Sequence, residues 1–103
     1  IMTQICNITF VCSEADAAVA LEYLRAEIIP ALTHENAEGL RLTRVRNAAG
    51  EAVSYALEVH FPDLHSVRAW RSDCMRPALN RMSEQWGERL MYFDTMLEVL
   101  PLR

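Results

Sequence analysis

Glu58 and His60 stand two residues apart, which on an extended backbone puts both side chains on one face. An imidazole beside a carboxylate is the usual pairing for general-base chemistry near neutral pH. Tyr92 and Asp94 repeat the spacing near the end of the chain and add a phenol and a second carboxylate. Facing one space, these four are the candidate catalytic set, with Asn7, Thr9 and Met96 as candidate ligand-binding residues around them. The same groups also suit interface hydrogen bonds or a solvated rim, which is their plainer use.

Other chemistry is harder to build. His34, Glu35 and Glu38, with His65 further on, are all potential ligands. A metal site needs three or four donors converging at about 2 Å, and this spacing specifies no such convergence. They read as loop polarity, and no metal is expected. Cys6, Cys12 and Cys74 include no C-x-x-C pair. Cys6 and Cys12 would lie roughly 20 Å apart along a strand, so the cysteines read as small buried hydrophobes in a reducing compartment. All ten basic residues are arginine, which removes Schiff-base catalysis and a phosphate-binding lysine. Gly39, Gly50 and Gly87 are too scattered for a phosphate-cradling loop. No cofactor is expected, and a net charge of −4 speaks against general nucleic-acid binding.

The elements that must position the candidates follow from hydrophobic periodicity. Val53, Tyr55, Leu57, Val59 and Phe61 alternate with Ser54, Ala56, Glu58 and His60, the pattern of a half-buried antiparallel strand. Ile5 to Cys12 alternates likewise. Leu40 to Arg46 carries Arg41, Arg44 and Arg46, a charged strand suited to a sheet edge. Asn47 to Glu51 is a hairpin connection. Leu90 to Leu100 is the last strand, with Tyr92, Asp94, Met96 and Glu98 on one face and Met91, Phe93, Thr95, Leu97 and Val99 on the other.

Two helices lie between. Ser13 caps the first, which runs from about Glu14 to Ile29 on Ala17, Leu21, Leu24 and Ile28, with Pro30 beginning its exit. Asp63 caps the second, on Leu64, Val67, Trp70 and Cys74; Pro77 breaks or restarts it, and Leu79, Met82 and Trp86 continue to a stop at Gly87.

The order strand, helix, strand, strand, helix, strand makes an α+β domain. Right-handed crossovers favour a four-stranded antiparallel sheet ordered 4-1-3-2 with both helices on one face, the ferredoxin-like βαββαβ plan. A chain of 103 residues, 51% hydrophobic and 23% charged, suits one such domain from Met2 to Arg103, Ile1 reading as an addition ahead of the natural start. No apolar run approaches the roughly 20 residues of a membrane span, and the first residues lack signal-peptide character. A cytoplasmic protein without membrane contact is expected. The sheet's open face would collect Ile5, Thr9, Val11, Tyr92 and Met96 beside the polar groups, too apolar to stay wet. A homodimer with its sheets face to face is therefore expected. Were the faces reversed, Phe10 and Tyr55 would be exposed for stacking bases.

Asn7-Ile8-Thr9-Phe10-Val11, Glu27-Ile28-Ile29-Pro30, the Val53 to Val59 strand, Arg76-Pro77-Ala78-Leu79 and Phe93 to Val99 together resemble a family of short bacterial proteins known as the domain of unknown function DUF4286. The resemblance spans nearly the whole chain and departs in the loop from Thr33 to Gly39, where a compact glycine-containing turn would follow the proline. It implies a place in the dimeric α/β-barrel group, which includes small cofactor-independent monooxygenases, chlorite-dismutase-like haem proteins and stress-response proteins. Two functions follow as expectations. One is a non-catalytic homodimeric module that binds a small molecule or protein partner; the other is a small cofactor-independent monooxygenase-like or isomerase-like enzyme acting on an apolar or aromatic substrate inside the barrel.

Overall fold

The computed structural model describes residues 2–46, 48 and 50–103. The expectations for Ile1 and for hairpin positions Asn47 and Ala49 lie outside the described residues. β1 (Gln4–Cys12) buries Cys6, Ile8, Phe10 and Cys12 and turns Ile5, Asn7, Thr9 and Val11 to the other side. β3 (Val53–Phe61) buries Val53, Tyr55, Leu57, Val59 and Phe61. β2 (Gly39–Arg44) is exposed along most of its length and stops two residues before the expected Arg46, although the Val45 N–H still donates to the Ser54 carbonyl at 2.9 Å. With β4 (Leu90–Glu98) the sheet is antiparallel and ordered β2-β3-β1-β4, which is 4-1-3-2 read from the opposite edge. The core fills the space between one sheet face and the helices. Phe10 and Tyr55 lie in it, so the reversed-face arrangement is absent.

Both helical arms pass through a proline. The first comprises α1 (Ala17–Tyr23), a wide π turn at Leu24–Ile28 and α2 (Ile29–Leu32). The second comprises α3 (Leu64–Trp70), a wide π turn at Arg71–Met75 and α4 (Arg76–Trp86). The Ile29 N–H reaches back five residues to Leu24, and the Arg76 N–H five residues to Arg71. A proline inside a helix lacks its N–H and presses its ring on the carbonyl four residues back. A turn widened by one residue just ahead of that ring opens the carbonyl ladder, so the helix continues. Hence Pro30 does not begin the exit, and at Pro77 the second arm is not broken but restarts as α4. The widened turn also shifts the buried stripe: Met75 is buried, and Cys74, expected there, is half-buried.

The ends of the arms are set by local hydrogen bonds. α1 starts at Ala17 rather than Glu14, because the Asp16 N–H donates to both the carbonyl and the Oγ of Ser13, at 3.2 Å each, in a separate turn. Asp63 caps α3 by accepting the Ser66 N–H at 2.8 Å. Gly87, with φ 55°, ends α4 in a conformation that disfavours a side chain. Where the arms meet, Trp70 Nε1 donates to the Leu32 carbonyl at 2.9 Å and the Trp70 ring packs 4.9 Å from that of Phe61. Among the described residues, no helix is long and apolar enough to cross a membrane.

Candidate ligand site on the open sheet face

Residues opposite each other across antiparallel strands share a face, so the registers lay the open face out in rows. One row reads Gly39, His60, Ile5, Leu97; the next reads Arg41, Glu58, Asn7, Thr95. Behind them come Thr43, Ala56, Thr9, Phe93 and then Ser54, Val11, Met91. The β2 and β3 side is polar and the β1 and β4 side is apolar. Asn7 and Thr9 lie between, on the open face as expected.

β4 corrects the expected constellation. Tyr92, Asp94 and Met96 stand opposite Phe10, Ile8 and Cys6, and so face the helices. They are not in one space with Glu58 and His60. The reason is that this face of β4 has partners. Asp94 accepts a hydrogen bond from Arg71 Nη2 in the second wide turn, Glu98 Oε1 accepts from Gln4 Nε2 at 3.0 Å, and Tyr92 and Met96 pack on the core. The more apolar set is left outside instead. Met91, Phe93 and Leu97 are 57%, 58% and 45% exposed.

Glu58 and His60 do meet. His60 Nε2 lies 3.2 Å from Glu58 Oε1, and Arg41 Nη2 donates to Glu58 Oε2 at 2.8 Å. Both carboxylate oxygens are thus engaged. The hydrogen bond from Arg41, and after it that from His60, holds the Glu58 carboxyl below its ordinary value. An ionised carboxylate only accepts, so in the neutral ring Nε2 carries the proton and Nδ1 is left as an acceptor. The arrangement can hold the imidazole in a fixed orientation. Arg41 stood out in the sequence only as an edge charge; counting back through the hairpin register would have set it opposite Glu58. The Arg71 partner of Asp94 had no comparable signal.

The other candidates fall elsewhere. His34 Nδ1 accepts the Asn36 N–H at 3.1 Å within the loop, and among the described residues no three His, Cys, Asp or Glu side chains gather into a metal-binding group. Burial pushes the Cys6 thiol up to about 11, with Asp94 adding to the effect and Arg71 opposing it. Burial also raises Cys12. Two open clefts lie at the far end of the sheet from His60. One, about 550 Å³, is lined by Glu14, Arg44, Arg46 and Glu51 among others; the second, about 450 Å³, is lined by Val11, Asp16, Arg89 and Met91 among others.

The model of a family described as Domain of unknown function (DUF4286) matches residues 3–100. Among curated proteins none matches. Solved structures share the fold at low identity. A dimeric ferredoxin-like protein from an uncultured marine organism superimposes with a TM-score of 0.71 at 12% identity, covering 98% of each chain. Aldoxime dehydratase gives 0.70 at 17%, over 94% of this chain but 28% of its own. A putative monooxygenase from Shewanella loihica gives 0.58 at 14%, over 98% of each.

Proposed function

The chain belongs to the DUF4286 family, and from that premise we propose that it is a homodimeric module whose two sheets face each other and hold a small molecule or a protein partner through or within the dimer. The observation that carries this reading is the exposure of Met91, Phe93 and Leu97 next to Ile5 and Val11 on one sheet face. A contiguous apolar face of this kind marks an interaction surface. A second copy is the occupant because the patch lies on a sheet whose fold relatives include a dimeric ferredoxin-like protein. The polar β2 and β3 half would then wall the space between the sheets. Native mass spectrometry together with sedimentation across a concentration series tests the reading. A species of twice 11.8 kDa is expected, with or without a retained small molecule. A monomer at every concentration would overturn it.

The Arg41–Glu58–His60 arrangement favours a second reading, a cofactor-independent enzyme of monooxygenase or isomerase type with His60 as general base. A dimer structure with an enclosed cavity of at least about 300 Å³ beside His60 would support it. An interface packed solid against His60 would end it.

A further inference from the structure

Val99 still holds to the sheet, its N–H donating to the Thr3 carbonyl at 2.9 Å. Pro101 has no N–H to extend that ladder and favours extended backbone at Leu100, so the chain leaves the sheet here. The departing segment, Leu100-Pro101-Leu102-Arg103, is apolar and uncovered: Leu100 is 64% exposed and Leu102 is fully exposed. At the other end of β4 lies the open cleft of about 450 Å³. Val11 and Met91, directly opposite each other on the open face, line it with Cys12, Asp16, Glu88 and Arg89. Asp16 and Arg89 pair with each other at 3.0 Å, whereas Glu88 has no ion pair among the described residues.

A two-fold axis can bring two such sheets face to face in two simple ways. An axis along the strands lays β4 over the partner's β2, setting the apolar half on the half that carries Arg41 and Glu58. An axis across the strands lays β4 over the partner's β4, so that Met91, Phe93 and Leu97 meet their own counterparts. Apolar surface leaves water on both sides only in the second. The two β4 strands then run in opposite directions, and the segment that leaves one arrives above the start of the other, where the cleft lies. Packed sheets stand about 10 Å apart, and the four residues from Leu100 to Arg103 span about 13 Å when extended. The sheets alone offer a face of roughly 20 Å by 30 Å per copy, which leaves the pair near the lower end of stable interfaces, about 1,200 Å² in total. We propose that Leu100 and Leu102 of each copy fill the partner's cleft against Val11 and Met91, with Arg103 set against Glu88. The inference rests on the homodimer reading and names the segment that completes its interface.

Isotope-filtered nuclear magnetic resonance on a dimer of one labelled and one unlabelled copy reads contacts between protomers alone. The methyls of Leu100 and Leu102 are expected to contact those of Val11 and Met91. Leu100→Asp combined with Leu102→Asp should raise the dimer dissociation constant by about tenfold or more in sedimentation, with the far-ultraviolet spectrum unchanged because both residues are exposed in the protomer. Glu88→Arg should weaken the dimer by about threefold to tenfold, since two symmetry-related pairs become repulsive, and adding Arg103→Glu should restore it. A dimer joined through Phe93 in which neither Leu100 nor Leu102 touches Val11 or Met91 overturns the inference alone. So do undiminished association of the double aspartate variant, a Glu88→Arg defect that Arg103→Glu does not repair, and a retained small molecule seated in the cleft instead. A monomer at every concentration overturns the dimer reading beneath it.

Discussion

Arg71, in the wide turn of the second helical arm, is hydrogen-bonded to Asp94 in the middle of β4, and this ion pair holds the helix-facing side of that strand. The side chains are 27% and 20% exposed, so truncating either leaves its partner charge in a poorly hydrated place. Arg71→Met or Asp94→Leu alone should destabilise the fold by about 1 to 3 kcal/mol. The double variant should cost less than the sum of the two. Urea unfolding of all four proteins measures the coupling; strictly additive losses would show the pair to be incidental.

Phe93 tests the opposite side of the same strand. It is exposed in the protomer, so Phe93→Glu should leave the protomer folded, with an unchanged far-ultraviolet spectrum. In a face-to-face dimer it would place a charge against an apolar surface. Sedimentation should show monomer at concentrations where the parent protein is dimeric. A dimer as tight as the parent would move the interface to another face.

The two tryptophans should respond unequally to Trp→Phe. Trp70 Nε1 donates to the Leu32 carbonyl, the last residue of the first arm, and the residue is fully buried. Trp70→Phe leaves that carbonyl unpaired and should cost about 2 kcal/mol, lowering the melting temperature by roughly 10 °C. Trp86 Nε1 is buried with no hydrogen-bond partner among the described residues, its ring being held by Tyr23 at 5.5 Å and Arg89 at 4.9 Å. Trp86→Phe gives up no such bond and should cost less. Thermal unfolding of the pair decides.

Cys6 predicts a pH dependence in the alkaline range. Burial lifts its thiol from 9.0 to about 11 in the folded protein, so the neutral form is favoured there. The stability this represents is complete below pH 9 and is lost as pH rises toward 11. At most about 3 kcal/mol is involved. Cys6→Ala should flatten the alkaline fall of urea-measured stability between those limits. Iodoacetamide at pH 8 should reach half-buried Cys74 first, and Cys6 and Cys12 only in denaturant.

Periodicity sufficed for β1 and β3 because each has one face of large apolar residues and one that is plainly mixed. The strand order then followed from handedness. β4 defeated the same reasoning. Its face with Met91, Phe93 and Leu97 is the more apolar, and alternation alone assigns it to the core. The actual assignment depends on Arg71 and Gln4, which are distant in sequence and supply the partners for Asp94 and Glu98. Pro30 misled for a related reason. The local penalty of a proline is real, but tertiary packing of Leu32 and of Ala78, Leu79 and Met82 sustains each helical arm past it, at the cost of one widened turn each. Half of the candidate site was thus legible. Glu58 and His60 share a strand, where spacing is geometry; Tyr92 and Asp94 depended on the register and facing of another.

Gln4 Nε2 donates to Glu98 Oε1, joining the first residue of β1 to the last of β4. β1 begins where β4 ends, with these two residues directly opposite each other. Neighbouring strands are about 4.8 Å apart, so a longer polypeptide could be interrupted at a single peptide, accommodate this whole domain and resume almost where it left off. The first residue of one strand and the last of its neighbour thus lie side by side, the geometry that an inserted domain needs at its seam.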